Sequence, residues 1–161
     1  MIAGNGVAAR LSSTWFGADL SPHARERLAG IGEIRRVEPG AILLREGTQT
    51  ERFGILLDGL LSLRVAVAGR GRATLMTIEP GEVFGWTAIV PPYRATSTVV
   101  ALEASDVVVF DAGQLRALLR DDEALALTLY PRLLQCVSRR LTATRNQLLD
   151  LYARDREYEP W

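Results

Sequence analysis

The sequence contains no lysine; all 19 of its basic side chains are arginine, balanced by 19 acidic ones. A chain of zero net charge lacks the basic excess that draws a protein onto nucleic-acid phosphates. Arginine alone reads first as the coding bias of a GC-rich bacterial genome, and it also suits any site that grips a phosphate with a planar fork. Cysteine is scarce too. The lone Cys136 excludes an intramolecular disulfide and a cysteine-ligated zinc or iron–sulfur centre within one chain. The lone His23, beside a helix start, leaves too few imidazoles for a metal-dependent β-roll enzyme or for a nucleophilic triad, and G-x-S-x-G does not occur. No catalytic residue and no metal ligand is expected. No apolar run approaches the roughly 18 residues of a membrane span. The opening MIAGNGVAAR lacks the charged and apolar regions of a signal peptide. These absences point to a soluble, cytoplasmic, non-enzymatic protein with no membrane partner.

What is present is an ordinary globular composition, 48% hydrophobic and 24% charged over 161 residues, enough for one domain with a real core. Short apolar runs alternate with turn dipeptides: EIRRV, Pro39-Gly40, AILLR, FGILL, Asp58-Gly59, LLSLRVAV, Gly69-Arg70-Gly71, ATLMTI, Pro80-Gly81, and later STVVAL and DVVVFD. Asp58-Gly59 is the strongest hairpin signal, because its tight turn needs positive backbone angles. This spacing predicts a mainly β fold with flanking helices: an eight-stranded jelly roll over residues 20–121.

The ends carry a different period. Ser21-Pro22 supplies an N-cap and a first-turn proline for a short helix, preceded by a partly flexible segment at 1–19 in which Trp15 and Phe16 cover the sheet. AGQLRALLR predicts a second short helix, and a long one spans 122–153 before a tail at 154–161. In the long helix Leu127, Leu134, Leu141 and Leu148 recur every seven residues, with Tyr130, Val137, Thr144 and Leu151 three positions on. Such a seam predicts a parallel homodimer, with a bend where Pro131 removes a backbone hydrogen bond.

Taken in order, PGAILLREGTQTERFGILLDGLLSLRV, IEPGEVFGWTAIVPPYRATSTVVALEASDVVVFD and the long helix resemble the cyclic nucleotide-binding domain of catabolite-activator-type bacterial regulators, over residues 20–152. The resemblance implies a phosphate-binding cassette in which Gly85 is the turn glycine, Arg94 the phosphate arginine and Ala95 the small residue after it. Independently of the resemblance, N–H groups opening a short helix near Thr87, Ala88 and Ile89, together with Arg94, suit an anion. The resemblance also places Thr144 where the dimer helix reaches a ligand's base, and Arg145 beside it is a further candidate contact.

One position departs from the pattern. Where the family carries a glutamate for the ribose hydroxyl, this chain has Trp86, and no Asp or Glu occurs from Phe84 to Val100. Glu46 and Glu82 read as turn and surface groups. Two readings stay open: an altered pocket in which Arg94 holds an anion while Trp86 and Tyr93 offer aromatic faces, or a plugged pocket on a ligand-free scaffold. Only ARDREYEPW follows Tyr152, so no helix-turn-helix is legible and direct DNA binding is not expected. A homodimeric sensor or adaptor, read by a partner protein and taking a cyclic nucleotide or another phosphate-containing ligand, remains.

Overall fold

The computed structural model describes the backbone over residues 2–155 and side-chain burial over 6–153. Eight strands form two antiparallel sheets, as predicted from the turn spacing. They are β1 (Gly32–Val37), β2 (Ile42–Leu44), β3 (Arg52–Asp58), β4 (Leu61–Val67), β5 (Gly71–Ile78), β6 (Val83–Phe84), β7 (Thr98–Ala101) and β8 (Ser105–Asp111). One sheet has the order β1-β8-β3-β6 and the other β2-β7-β4-β5. The Asp58-Gly59 turn lies between β3 and β4, and Gly59 has the predicted positive φ of 98°.

Strand β8 explains why DVVVFD is apolar without interruption. Side chains of a strand alternate between its faces. Val107 and Val109 point between the sheets, into a core with Leu56, Leu61, Ile78 and Phe84. Val108 and Phe110 point the other way, into a second core with Phe16, Phe53, Leu28 and Leu115 that is roofed by helices. Both faces are buried, so neither tolerates a polar alternation.

Five helices complete the chain: α1 (Ile2–Ser12), α2 (Trp15–Ala18), α3 (Pro22–Ala29), α4 (Ala112–Asp121) and α5 (Glu123–Asp155). The Ser21 side chain caps α3 by accepting from the Ala24 N–H, as its sequence position predicts. The N-terminal segment carries more secondary structure than the sequence reading named. Residues 1–19, read as a partly flexible lead-in, contain α1 and α2, and Val7, Leu11 and Phe16 are fully buried in the helix-roofed core. Small residues and two glycines in MIAGNGVAAR conceal α1, whose order comes from packing on α3. Phe16 stacks against Phe53, 5.8 Å between ring centres. Helix α5 runs unbroken through Pro131 and is described as far as Asp155; the expected tail beyond that lies outside the described residues.

Helix α5 has two apolar faces. Leu125, Leu129, Leu133 and Cys136 are buried on the body of the protein. The heptad residues Leu127, Leu134, Leu141 and Leu151 stay 69%, 68%, 70% and 61% exposed. Tyr130, Leu148 and Thr144 are exposed as well, and Val137 is half-buried. An apolar stripe packed closely on the chain's own sheet would have been buried here; these heptad leucines are not.

Candidate functional site

The cassette begins where β6 ends. Phe84 fills the space over Gly54, and Gly85 then turns the chain with φ 71°, so a side chain at Gly85 would be strained and would meet the Arg52 carbonyl oxygen at 2.3 Å. A single turn of 3-10 helix follows over Trp86–Ala88. Thr87 is buried, and its hydroxyl lies 2.7 Å from that of Thr50. Beyond it, Tyr93 takes a positive φ of 60° and stacks under Arg116, whose guanidinium carbon lies 4.5 Å from the ring centre. Arg116 also donates to the Ala88 carbonyl at 2.7 Å. The Tyr93 face is thus covered by a protein cation, and Ala88 is held by the same arginine.

Arg94 sits on a small bridge to Gln49, and its guanidinium donates to the Gly47 carbonyl at 2.7 Å. It is exposed and does not line the cavities that Trp86 lines. Ala95 exchanges backbone hydrogen bonds with Gly47 and Thr48. Glu46, expected at a turn, accepts from the Ala66 N–H 20 residues away in sequence, and the half-buried Glu82 accepts from the Glu79 N–H.

Among the described residues, two cavities adjoin the cassette. Gly85, Trp86, Thr87 and Ala95 surround one of only about 10 Å³, roughly the space of one water. The larger, about 290 Å³, lies between the roll and α5. Its walls are Leu63, Val65 and Leu75 from the sheet, the Trp86 indole, and Val137 and Leu141 from α5. Thr96, Ser97 and Thr144 add hydroxyls, and no carboxylate takes part. Of the residues expected at the site, Gly85, Trp86, Thr87 and Ala95 meet at the small cavity, and Trp86 and Thr144 meet at the cleft. Ala88, Tyr93, Arg94 and Arg145 line neither.

The sequence reading missed Arg140. This side chain reaches from α5 to the Val83 carbonyl, just before the cassette, and lines both cavities. Burial pulls its pKa below the ordinary arginine value, offset in part by the nearby Glu82 carboxylate. A signal was available: the body-facing run Leu125, Leu129, Leu133, Cys136 continues in helical steps to position 140, where an arginine interrupts it. On the far side of Arg140, a separate cavity of about 170 Å³ is walled by Trp15, Glu82 and Arg139. Arg139 covers the Trp15 ring at 4.6 Å, and Arg132 donates to the Trp15 and Phe16 carbonyls and to Asp19.

Among the described residues no helix is long and apolar enough to cross a membrane, and no cluster of three or more histidine, cysteine or acidic residues could hold a metal ion.

The comparisons agree with this architecture. The chain is 29% identical over 148 residues to the CRP-like cAMP-activated global transcriptional regulator of Mycobacterium tuberculosis, covering 81% of this chain and 64% of that protein. It is 34% identical over 96 residues to the acetyltransferase Pat of Mycolicibacterium smegmatis, covering 60% of this chain and 28% of Pat. The chain therefore spans less than two thirds of either relative. A cyclic nucleotide-binding domain from Methylobacillus flagellatus superposes with a TM-score of 0.77 at 18% identity, covering 91% of this chain and 83% of that one, a likeness of fold. The cyclic nucleotide-binding domain model matches residues 34–122, from β1 to the start of α5, and with two four-stranded sheets, the glycine-led cassette and the long closing helix in the same order, the chain belongs to the cyclic nucleotide-binding domain family.

Proposed function

We propose that this regulatory-type domain acts as a homodimeric sensor, paired along α5, whose cleft takes a small anionic ligand other than a cyclic nucleotide held in the family's usual manner. One observation carries the reading: the position implied to hold a ribose-binding carboxylate is Trp86, which walls a cleft lined by no acidic group. Losing one charged hydrogen bond costs about 1.5 to 3 kcal/mol, roughly ten- to a hundredfold in affinity, before the bulk of the indole is counted. The placement of Arg94 points the same way, since it lines neither of the cavities that Trp86 lines. The exposed heptad leucines support pairing, because so continuous an apolar stripe calls for a cover. In such a dimer, a ligand against Val137, Leu141 and Thr144 would bias the helix packing, and a partner protein would read the change. The acetyltransferase relative illustrates a domain of this kind within a longer enzyme.

A second reading, a ligand-free scaffold kept for dimerisation and partner binding, is favoured by the small space left beside Gly85 and Trp86. A thermal-shift screen with cyclic AMP, cyclic GMP and a panel of carboxylates, sulfonates and phosphates separates the two. A ligand at 100 times its dissociation constant stabilises the fold by about 2.7 kcal/mol. The expected result is a shift with a non-nucleotide anion and none with cyclic AMP or cyclic GMP. A strong shift with cyclic AMP in the wild type overturns the sensor reading as stated, and no shift with any compound favours the scaffold. Mass measurement in solution tests pairing, and a monomer at micromolar concentration would refute it.

A further inference from the structure

We infer that Arg140, not Arg94, is the anion-holding residue of the cleft, and that the ligand is a flat, apolar monoanion such as an aromatic carboxylate rather than a phosphodiester. This rests on the reading of the cleft as a ligand site.

The charge of Arg140 is the starting point. A guanidinium offers five donors and stays protonated at any ordinary pH. Among the described residues, the Val83 carbonyl is its one hydrogen-bonding partner, and no carboxylate lies within ion-pair distance; Glu82, the nearby acid, is instead engaged with the Glu79 N–H. Arg132, two turns earlier on the same helix, is treated differently: it has Asp19 as well as two carbonyls. Arg140 is half-buried, and charges withdrawn from water are ordinarily paired. Arg140 lines three cavities: one shares Glu82 with it, one has room for about one water, and the largest, the cleft, has no acidic group and leaves space for a counter-ion.

The rest of the lining selects the ligand's body. Leu63, Val65, Leu75, Val137 and Leu141 surround the Trp86 ring, so the space favours a flat apolar group against the indole face. Sugar hydroxyls would find no carboxylate to accept from them. At about 290 Å³ the cleft is at the lower limit of ordinary ligand pockets, suiting a one- or two-ring compound. A single arginine with the neighbouring Thr96 and Ser97 hydroxyls matches one negative group, donated to by the guanidinium fork, while the Thr144 hydroxyl donates to the Arg140 carbonyl within α5.

The test uses the full chain and two fluorescent probes of similar aromatic body, the anion anilinonaphthalene sulfonate and the neutral phenylnaphthylamine. Both are expected to bind the wild type. Arg140→Gln should weaken the sulfonate by at least about tenfold and the neutral probe by less than about threefold, with Arg140→Lys intermediate and Arg94→Gln without effect. A measurement on the wild type guards against a variant that does not fold: naphthoate should displace the neutral probe at about tenfold lower concentration than naphthylmethanol. Equal loss of both probes in Arg140→Gln would mean that this arginine only shapes the cleft, and the inference fails. Equal displacement by naphthoate and naphthylmethanol, or loss of sulfonate binding in Arg94→Gln, overturns it too. If neither probe binds while the thermal screen finds another anion, the ligand class proposed here is wrong and the sensor reading stands; if the screen is also blank, the sensor reading falls with it.

Discussion

The hydroxyl of Thr50 and that of Thr87 lie 2.7 Å apart with both side chains buried, which ties the chain entering β3 to the turn after Gly85. Removing one partner strands the other. Thr87→Val should cost about 1 to 3 kcal/mol in chemical denaturation, whereas the double replacement Thr50→Val with Thr87→Val should recover most of that loss. A double variant no more stable than the single one would show that the pair is not the relevant contact.

The two faces of α5 predict opposite outcomes for chemically identical changes. Leu129→Ala removes a fully buried side chain and should destabilise the protomer by about 2 to 5 kcal/mol. Leu134→Ala alters an exposed seam position, so folding stability of the protomer should move by less than about 0.5 kcal/mol. Its effect should instead appear in sedimentation, as weaker self-association. Denaturation curves for both variants, read beside their solution masses, check the assignment.

At Gly54 the Phe84 ring occupies the space a side chain would need, its nearest carbon 2.1 Å from an added Cβ. Gly54→Ala should cost about 1 to 3 kcal/mol through overpacking. The strain falls on the residue immediately before Gly85, so ligand binding, where present, should weaken in step with the melting temperature.

Asp122 closes the start of α5. Its carboxylate accepts from the Leu125 N–H at 2.9 Å and lies near His23 and Arg27. The backbone hydrogen bond, with His23 and Arg27 adding to it, holds its pKa below the ordinary carboxylate value. A depressed folded-state pKa means stability that is present above the unfolded value, about 3.9, and lost as pH falls through the folded one. Asp122→Ala should therefore be less stable than the wild type at neutral pH, with the difference shrinking as the pH drops below about 4. Melting curves from neutral to strongly acidic pH would show the convergence, and a constant gap would argue against it.

Much of the roll was legible because its signals are local. Asp58-Gly59 and the glycine turns punctuate the strands, and Ser21 announces α3 from its own side chain. Helix α1 was hidden because Gly4, Asn5 and Gly6 interrupt the helix-favouring alanines of MIAGNGVAAR; its order comes from distant partners that bury Val7 and Leu11. The cassette was located from Gly85 and Trp86, yet the destination of the Arg94 side chain depends on Gly47, 47 residues away in sequence, which no local pattern encodes. Arg140 went unnoticed for a related reason. Sequence periodicity drew attention to the seven-residue seam, and an arginine outside that seam reads as a solvated charge until the facing sheet is in place.

The outer wall of the cleft and the helix seam share Val137, Leu141 and Thr144. In a pair closed along that seam, what fills the hollow and how firmly the copies hold each other obey a single thermodynamic cycle, so each must alter the other by the same factor. Titration curves recorded at dilute and at concentrated protein would then fail to superimpose, and the abundance of the chain would itself set the threshold at which a signal registers.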